Sequence, residues 1–569
     1  KKDIPILVIM GNPPYSFSHS EQSEFVKTTI KDYLTGLGVE KERKKGVMQD
    51  DYIRFIRFAH WKIEQAGHGI IGMITNNSYL DGIIHRAMRK KLIDDFDEIY
   101  ILNLHGNLRL KEKAPRGGRD ENVFDIQQGV GIILLVKFAP RCQKRGGVAV
   151  KKIEYHDRWG SRKDKYRFLE THDVNNTDWK NLELKEPNYF FVPKKYKGEE
   201  RYQKFISLKD IFEKFGSGVI TRRDEFVVAI DRSELKNRIC IFLDKKLPQE
   251  IIEKSLCIKD TYEWSLQNAR DEVTRDKDLD KKYLEYLYRP FDRRWIIYHK
   301  NLISRPSSLL RKCFPGRDNI SLVCSRKIPG RTNFSHIFAS SVLIDIHSVA
   351  DQSYVFPLFV YSGHNEGDLF ERIDAKRLNF NSSFWQKIRS SIGSIDPWLI
   401  FYYIYAILYS SIYRKKYNEF LRIDFPRIPF TKNRELFNKV ADLGKELVNL
   451  HLLKSKKHNK LSAKFPVSTG NILTDGKVEK REYNSKEKRV YINDKQYFEK
   501  VEPEIWDYYI GGYQVLDKWL KDRGKSGRPL SQEEVNHYLK VITAIKYTID
   551  LQKEIDRIYP EVEKSFIEK

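Results

Sequence analysis

Apolar and polar positions fall into two regimes along the 569 residues. In the first, apolar runs alternate with helical stripes. Ile6-Leu7-Val8-Ile9-Met10-Gly11 is a continuous apolar run and predicts a short buried strand, ending at Asn12-Pro13-Pro14-Tyr15. A polar segment from Ser16 to Gln49 follows, with Lys41-Glu42-Arg43-Lys44-Lys45 as a solvated cluster. Tyr52, Phe55, Ile56, Phe58, Ala59 and Ile63 recur at helical spacing, and Gly67-His68-Gly69 stops that helix. Ile70 to Thr75 predicts a buried strand that ends in Asn76-Asn77-Ser78-Tyr79. A helix is expected over Ile83 to Phe96, then strands over Glu98 to Leu104 and Gly129 to Phe138. This alternation predicts an α/β fold with a mostly parallel sheet.

A basic, glycine-containing linker, Arg141 to Gly147, separates the two regimes. From Lys151 to Pro429, short aromatic and β-branched runs alternate with turn signals and predict a mixed, β-rich region. Glu225 to Ile230, Trp295 to His299, Ile320 to Cys324 and Tyr354 to Tyr361 are examples. A helix is expected over Lys281 to Tyr288, and one long helix over Pro397 to Phe420. Trp398 to Tyr413 is too short and too tyrosine-rich for a membrane span and reads as a buried amphipathic helix. The last part is helical. An amphipathic helix spans Asn433 to Leu453, and a Lys/Arg-rich β-hairpin spans Val478 to Ile492 with Asn484-Ser485 at its turn. Another helix spans Val515 to Lys521. Ser531-Gln532-Glu533-Glu534 forms a capping box that opens a helix to about Ile558. The expected regions are 1–145, 146–430 and 431–569.

Charge narrows the function. With 103 Lys and Arg against 78 Asp and Glu, the formal net charge is +25, and 13% of residues are aromatic. The mean hydropathy is −0.58. Excess positive charge interleaved with tyrosine points to a polyanionic partner, nucleic acid first. Five separated cysteines with no C-x-x-C give no zinc or redox motif, and no metal-ligand set is read. Scattered thiols, and no signal or membrane segment, set the expectation of a cytoplasmic protein. A first residue other than Met sets the expectation of a fragment.

The chemistry sits at the first strand's exit. Two prolines fix φ and remove two backbone donors, and each pushes the residue before it toward extended geometry. The Asn12 side chain and the Asn12 and Pro13 carbonyls are then presented as acceptors, with the flat ring of Tyr15 beside them. Asn12-Pro13-Pro14-Tyr15 resembles the catalytic motif of amino-group DNA methyltransferases, in the form usual for adenine N6. The resemblance implies that Asn12 Oδ1 and the Pro13 carbonyl draw the amine hydrogens. It also implies that Tyr15 stacks on an extruded base, with Phe124 as the candidate second ring. No Pro-Cys pair lies near Asn12, which argues against carbon-5 cytosine chemistry.

The resemblance extends in order along the chain. Asp51 to Arg57, Gly69 to Asn76 and Tyr100 to Asn107 resemble the methyltransferase region of single-chain Type ISP restriction–modification enzymes. Gly218 to Asp224, Tyr288 to Trp295, Tyr405 to Ser410 and Asp424 to Pro429 resemble their target-recognition region, and Gly511 to Leu520 their C-terminal specificity domain. The implied fold is the C-terminal part of a Rossmann-like methyltransferase sheet. A mixed α+β target-recognition domain and a helical C-terminal part with a β-hairpin follow it. The implied partners are double-stranded DNA and an N-terminal methyltransferase, helicase and nuclease portion, in cis or in trans. The implied cofactor is S-adenosylmethionine. Its Gly-rich strand is expected upstream of Asn12, so this chain alone is expected to bind it weakly. No P-loop is present, so no ATP-driven translocation is expected from this chain alone. Arg222, Arg223, Arg289, Arg293 and Arg294 are the candidate DNA contacts, and for Gly218 to Asp224, which carries the first two, a simple turn is the alternative. For Arg289, Arg293 and Arg294, pairing with nearby acids is an equal alternative. Two other readings stay open, a non-catalytic specificity subunit and a basic nucleic-acid binder without sequence preference.

Overall fold

The computed structural model describes residues 5–15, 23–42, 45–109, 112, 114–115, 118–139, 151–194, 198–328, 333–361, 376–466 and 475–569. The expected linker, Arg141 to Gly147, and Arg43 and Lys44 lie outside the described residues. The described residues divide into two units, one up to residue 194 and one from residue 198 onward.

In the first unit the order is β1 (Val8–Gly11), α1 (Asp51–Ala66), β2 (Gly69–Asn76), α2 (Arg86–Asp95), β3 (Glu98–His105), β4 (Val130–Lys137), β5 (Lys152–Asp157), α3 (Arg162–Thr171) and β6 (Lys180–Asn181). Helix α1 buries Tyr52, Ile53, Ile56, Ala59 and Ile63, the stripe that its spacing predicts. It ends at Gly67, whose φ of 78° is the left-handed cap that only glycine adopts without strain.

The sheet runs β1-β2-β4-β3-β5-β6. The β1/β2 and β3/β5 pairs are parallel, whereas β2/β4, β3/β4 and β5/β6 are antiparallel. The expected mostly parallel sheet is therefore a mixed one. β4 inserts between β2 and β3 in the reverse sense, a choice made by long-range pairing that periodicity cannot encode. β5 and β6 belong to this sheet although they lie beyond residue 145. β1 is an edge strand, and its Val8 and Met10 are 58% and 82% exposed.

The second unit holds two four-stranded sheets. The strands of these two sheets are β7 (Gly216–Ser217), β8 (Val228–Ala229), β9 (Tyr283–Arg289), β10 (Asp292–Ile297), β11 (Ser321–Ser325), β12 (Ile337–Ser340), β13 (Leu343–Ile344) and β14 (Ser353–Pro357). One sheet is ordered β13-β9-β10-β8 and the other β12-β11-β14-β7. The helix expected over Lys281 to Tyr288 is instead β9. Tyr283, Tyr286 and Leu287 are buried against neighbouring strands, and Phe291, at φ 61°, turns β9 into its antiparallel partner β10.

Helix α4 (Pro397–Tyr409) is buried on nearly every side rather than amphipathic. The single helix expected to Phe420 breaks at Ser410, whose side chain caps the next short helix by accepting from the Tyr413 amide. α4 packs on α5 (Arg434–His451). Gly444 makes that approach possible: a Cβ there would stand 1.9 Å from the Tyr402 carbonyl oxygen. The expected hairpin has three strands, Glu482–Asn484, Arg489–Tyr491 and Tyr497–Glu499. After it come α6 (Val515–Gly524) and α7 (Gln532–Lys564), the latter opened by the expected Ser531/Glu534 capping box. No single helix among the described residues is long and apolar enough to cross a membrane. Ser382–Ile392 and Pro397–Tyr409 reach that length together only across a 90° bend.

Candidate catalytic rim and nucleic-acid interface

In the first unit, β1, β2, β3 and β5 all run in one sense, so their carboxyl ends share one rim of the sheet. β4 runs the other way and begins there, with Val130 paired to both Asn76 and His105. Gly11 pairs with Met73, so the Asn12–Tyr15 turn continues along the last residues of β2 toward that rim. Pro13 is buried, Asn12 and Pro14 are exposed, and Tyr15 is half-buried.

Tyr15 and Phe124 both pack on a core of Leu102, Leu104, Val123, Val130 and Phe168. Their ring centroids are 5.9 Å apart at 64°, edge to face. The structure thus brings together the two rings singled out in the sequence, touching each other rather than facing across a gap. Burial pushes the Tyr15 phenol up to about 12, so it stays neutral at ordinary pH.

Sequence reasoning missed a group of hydroxyls. The hydroxyls of Tyr15 and Tyr52 are buried without a hydrogen-bond partner among the described residues, and the buried hydroxyls of Thr75 and Tyr79 interact with each other. Thr75 lies near the end of β2, and the Tyr52 and Tyr79 rings are 6.1 Å apart. Asp50, just before α1, is raised to about 6 by burial and by Asp51, against Arg54. Tyr52 and Tyr79 looked like helix and loop apolar positions, and nothing in their spacing marks them as polar groups of one site.

Several described residues around the end of β3 are tied by hydrogen bonds. Asp120 accepts from the Gly106 and Gly160 amides at 2.7 and 2.9 Å, and it pairs with the buried Lys165 at 2.8 Å. Asn77 donates to Asn103 at 2.9 Å, and its own amide donates to the Gly129 carbonyl at 3.0 Å. Elsewhere in this unit, His60, Glu64 and Asp95 converge as a metal site would. Lys91 Nζ, 2.8 Å from Asp95 and 3.4 Å from Glu64, already supplies the cation.

In the second unit the candidate arginines separate by environment. Arg289 pairs with buried Asp345 at 2.9 Å, and Arg294 pairs with Asp292 at 2.7 Å and Asp522 at 3.2 Å. Their side chains are 11% and 14% exposed. These two take the acid-pairing alternative. Arg293 is half-buried and has no ion pair among the described residues; burial lowers its pKa, against Glu285.

Arg222 and Arg223 line a cleft of ≈ 360 Å³. Its floor is Asp345–His347 and its walls are Ile220–Phe226 and Cys257–Ile258. The 219–221 segment is strapped to that floor. The Val219 amide donates to Ile344 at 2.8 Å, and the Ile346 amide donates to Val219 at 3.0 Å. A Cβ on Gly218 would stand 2.7 Å from Asp345 backbone. Arg222 then adopts φ 59°, a left-handed conformation that costs a non-glycine residue roughly 1–3 kcal/mol.

A family model, the Type ISP C-terminal specificity domain, matches residues 210–554. The chain belongs to this family. No curated protein matches. Among solved structures, the ATP-dependent Type ISP restriction–modification enzyme LlaBIII bound to DNA is 23% identical with a TM-score of 0.75, and the match covers 97% of this chain and 37% of that one. A nuclease-deletion mutant of the Type ISP enzyme LlaGI with a DNA substrate mimic is 22% identical, with a TM-score of 0.71 and coverage of 97% and 53%. The DrdV–DNA complex is 22% identical, with a TM-score of 0.73 and coverage of 98% and 57%. At these identities the likeness is one of fold. The chain spans less than two thirds of each of these relatives. The Type ISP specificity model lies over the second unit, which holds the arginine-lined cleft.

Proposed function

We propose that this Type ISP chain carries the target recognition and the catalytic turn of a site-specific DNA adenine-N6 methyltransferase in a restriction–modification system. The observation that carries the reading is the Asn12–Tyr15 turn at the carboxyl end of β1, on the rim where the parallel strands end. Open α/β sheets bind ligands in the crevice outside that rim. Asn12 Oδ1 and the Pro13 carbonyl would accept the two hydrogens of the adenine amine, leaving the nitrogen lone pair free for alkylation. The unpartnered buried hydroxyl of Tyr52 supports a polar ligand nearby.

The aromatic pair would act as a gate. A base sandwiched between two rings needs them about 7–8 Å apart, whereas Tyr15 and Phe124 stand at 5.9 Å. Entry of an extruded base would turn Tyr15 away from Phe124 and onto the base face.

S-adenosylmethionine would supply the methyl group. The rim offers acceptors and rings, and no glycine-rich cofactor turn is among its described residues. Calorimetry on this chain alone is expected to show binding weaker than micromolar; micromolar binding would contradict that. The open, apolar edge of β1 supports addition of further methyltransferase strands, in cis or in trans.

The net charge of +25 and the DNA-bound relatives support duplex DNA as partner. Competition binding across duplex sequences at fixed salt tests the recognition half. One sequence class should bind at least about 10³-fold tighter than the rest. Equal affinities would leave a basic binder without sequence preference. A non-catalytic specificity subunit is the second reading, favoured by a family match that begins only at residue 210.

A further inference from the structure

Arg223 is a half-buried cation without an acid partner among the described residues. Its Nε donates to the Leu302 carbonyl at 3.1 Å, and its guanidinium lies 4.2 Å from the centroid of the Trp264 ring. The indole is itself fixed, donating to the Asn301 carbonyl at 2.6 Å. Among the described residues Arg223 has no ion pair, and both burial and neighbouring Arg222 lower its pKa. An uncompensated, partly desolvated cation is costly unless something anionic arrives.

Arg222 sits next to it, 54% exposed, and is held in its left-handed conformation by the strapped 219–221 segment. Its partner Glu263 is 68% exposed at 2.8 Å, a surface pair that an incoming anion displaces at little cost. Of the three carboxylates that line the cleft, Glu225 is exposed to solvent and the other two are already engaged. Asp345 accepts from Tyr286 at 2.6 Å and from Arg289 at 2.9 Å, and Asp224 accepts from Thr221 and from Tyr288. Arg222 and Arg223 thus both line a cleft of ≈ 360 Å³.

We propose that this cleft seats one phosphodiester of the DNA backbone, gripped by Arg223 on its Trp264 shelf and by Arg222 at the mouth. The assignment rests on the DNA-binding reading above. A phosphate contact positions the protein and carries no base information. The pair therefore sets affinity and register, while sequence is read elsewhere on the unit.

The test measures duplex affinity of the whole chain by fluorescence anisotropy over a series of salt concentrations, for wild type, R222Q, R223Q, R223K and R275Q. Each lost phosphate contact should flatten the slope of log K against log salt by about 0.9. R222Q and R223Q should each show that change, equally on every duplex sequence. R223K keeps the charge and should keep the slope. Arg275, exposed and paired with Glu272 away from the cleft lining, is the control for general charge loss, and R275Q should leave the slope unchanged. Slopes for R222Q and R223Q equal to wild type, or a loss confined to some sequences, would overturn the assignment. Arg222 is exposed, so R222Q keeps the test valid if R223Q unfolds. A wild-type chain that binds no duplex would instead overturn the DNA-binding reading, and this assignment with it.

Discussion

Replacing Asn12 with alanine should lower DNA adenine methylation by about 10²–10³-fold, the usual loss when one preorganised hydrogen-bond partner of a reacting group is removed. The assay is methyl incorporation into duplex DNA by this chain joined with the rest of its methyltransferase portion. Asn12 is exposed at the rim and makes no contribution to the core, so melting and duplex affinity should stay at wild-type values. Asn12→Asp keeps a carbonyl-type acceptor and should retain more activity than Asn12→Ala. The split between chemistry and binding is what a structural role could not produce. Methylation that persists near the wild-type rate in Asn12→Ala would defeat the catalytic reading and leave the chain as a specificity subunit.

Asp292→Ala should destabilise the second unit by about 3–5 kcal/mol, the usual cost of stranding buried charges. Asp292 is 1% exposed and takes Arg294 at 2.7 Å and Arg523 at 2.8 Å. Arg523 also holds Glu534 at 3.1 Å, the residue that closes the capping box of α7. One carboxylate therefore ties β10 to α6 and, through Arg523, to α7. Arg294 keeps Asp522 and Arg523 keeps Glu534 when Asp292 is lost, which places the effect toward the lower end.

Burial alone would raise the Asp292 carboxyl, but Arg523 and Arg294 outweigh it and hold the group well below the usual carboxylate range. A depressed carboxylate contributes stability above its unfolded value of about 3.9, and that stability is lost as pH falls through the folded value. Urea midpoints of wild type and Asp292→Ala should therefore differ fully at neutral pH and converge in strong acid. A gap that stays constant into strong acid would show that the pair is not the cause.

Much of the local structure was legible. The stripe of α1 and its Gly67 cap, the apolar runs of β2, β3 and β4, and the Ser531 capping box each depend on neighbours within a few residues. The misread elements share a cause. Lys281 to Tyr288 looked helical because its apolar positions fit either period, and only β10 and β13 beside β9 decide for a strand. α4 looked amphipathic because its tyrosines carry hydroxyls. In the fold those hydroxyls are satisfied internally: Tyr403 donates to the Pro429 carbonyl and Tyr409 to the Ile337 carbonyl.

The site divides the same way. The Asn12-Pro13-Pro14-Tyr15 turn is read directly from sequence, because proline geometry and the preceding apolar run act on adjacent residues. The fates of the arginines were not readable. Arg289 meets Asp345 across 56 residues and Arg294 meets Asp522 across 228, whereas Arg223 meets an indole and, among the described residues, no acid. Sequence by itself determined the family, the acceptor-bearing turn and the excess of positive charge. Tertiary structure alone decided the reversed strand β4, the contact between Tyr15 and Phe124, and which cations remain available. Strand order and charge pairing depend on surfaces that meet only when distant segments are buried together.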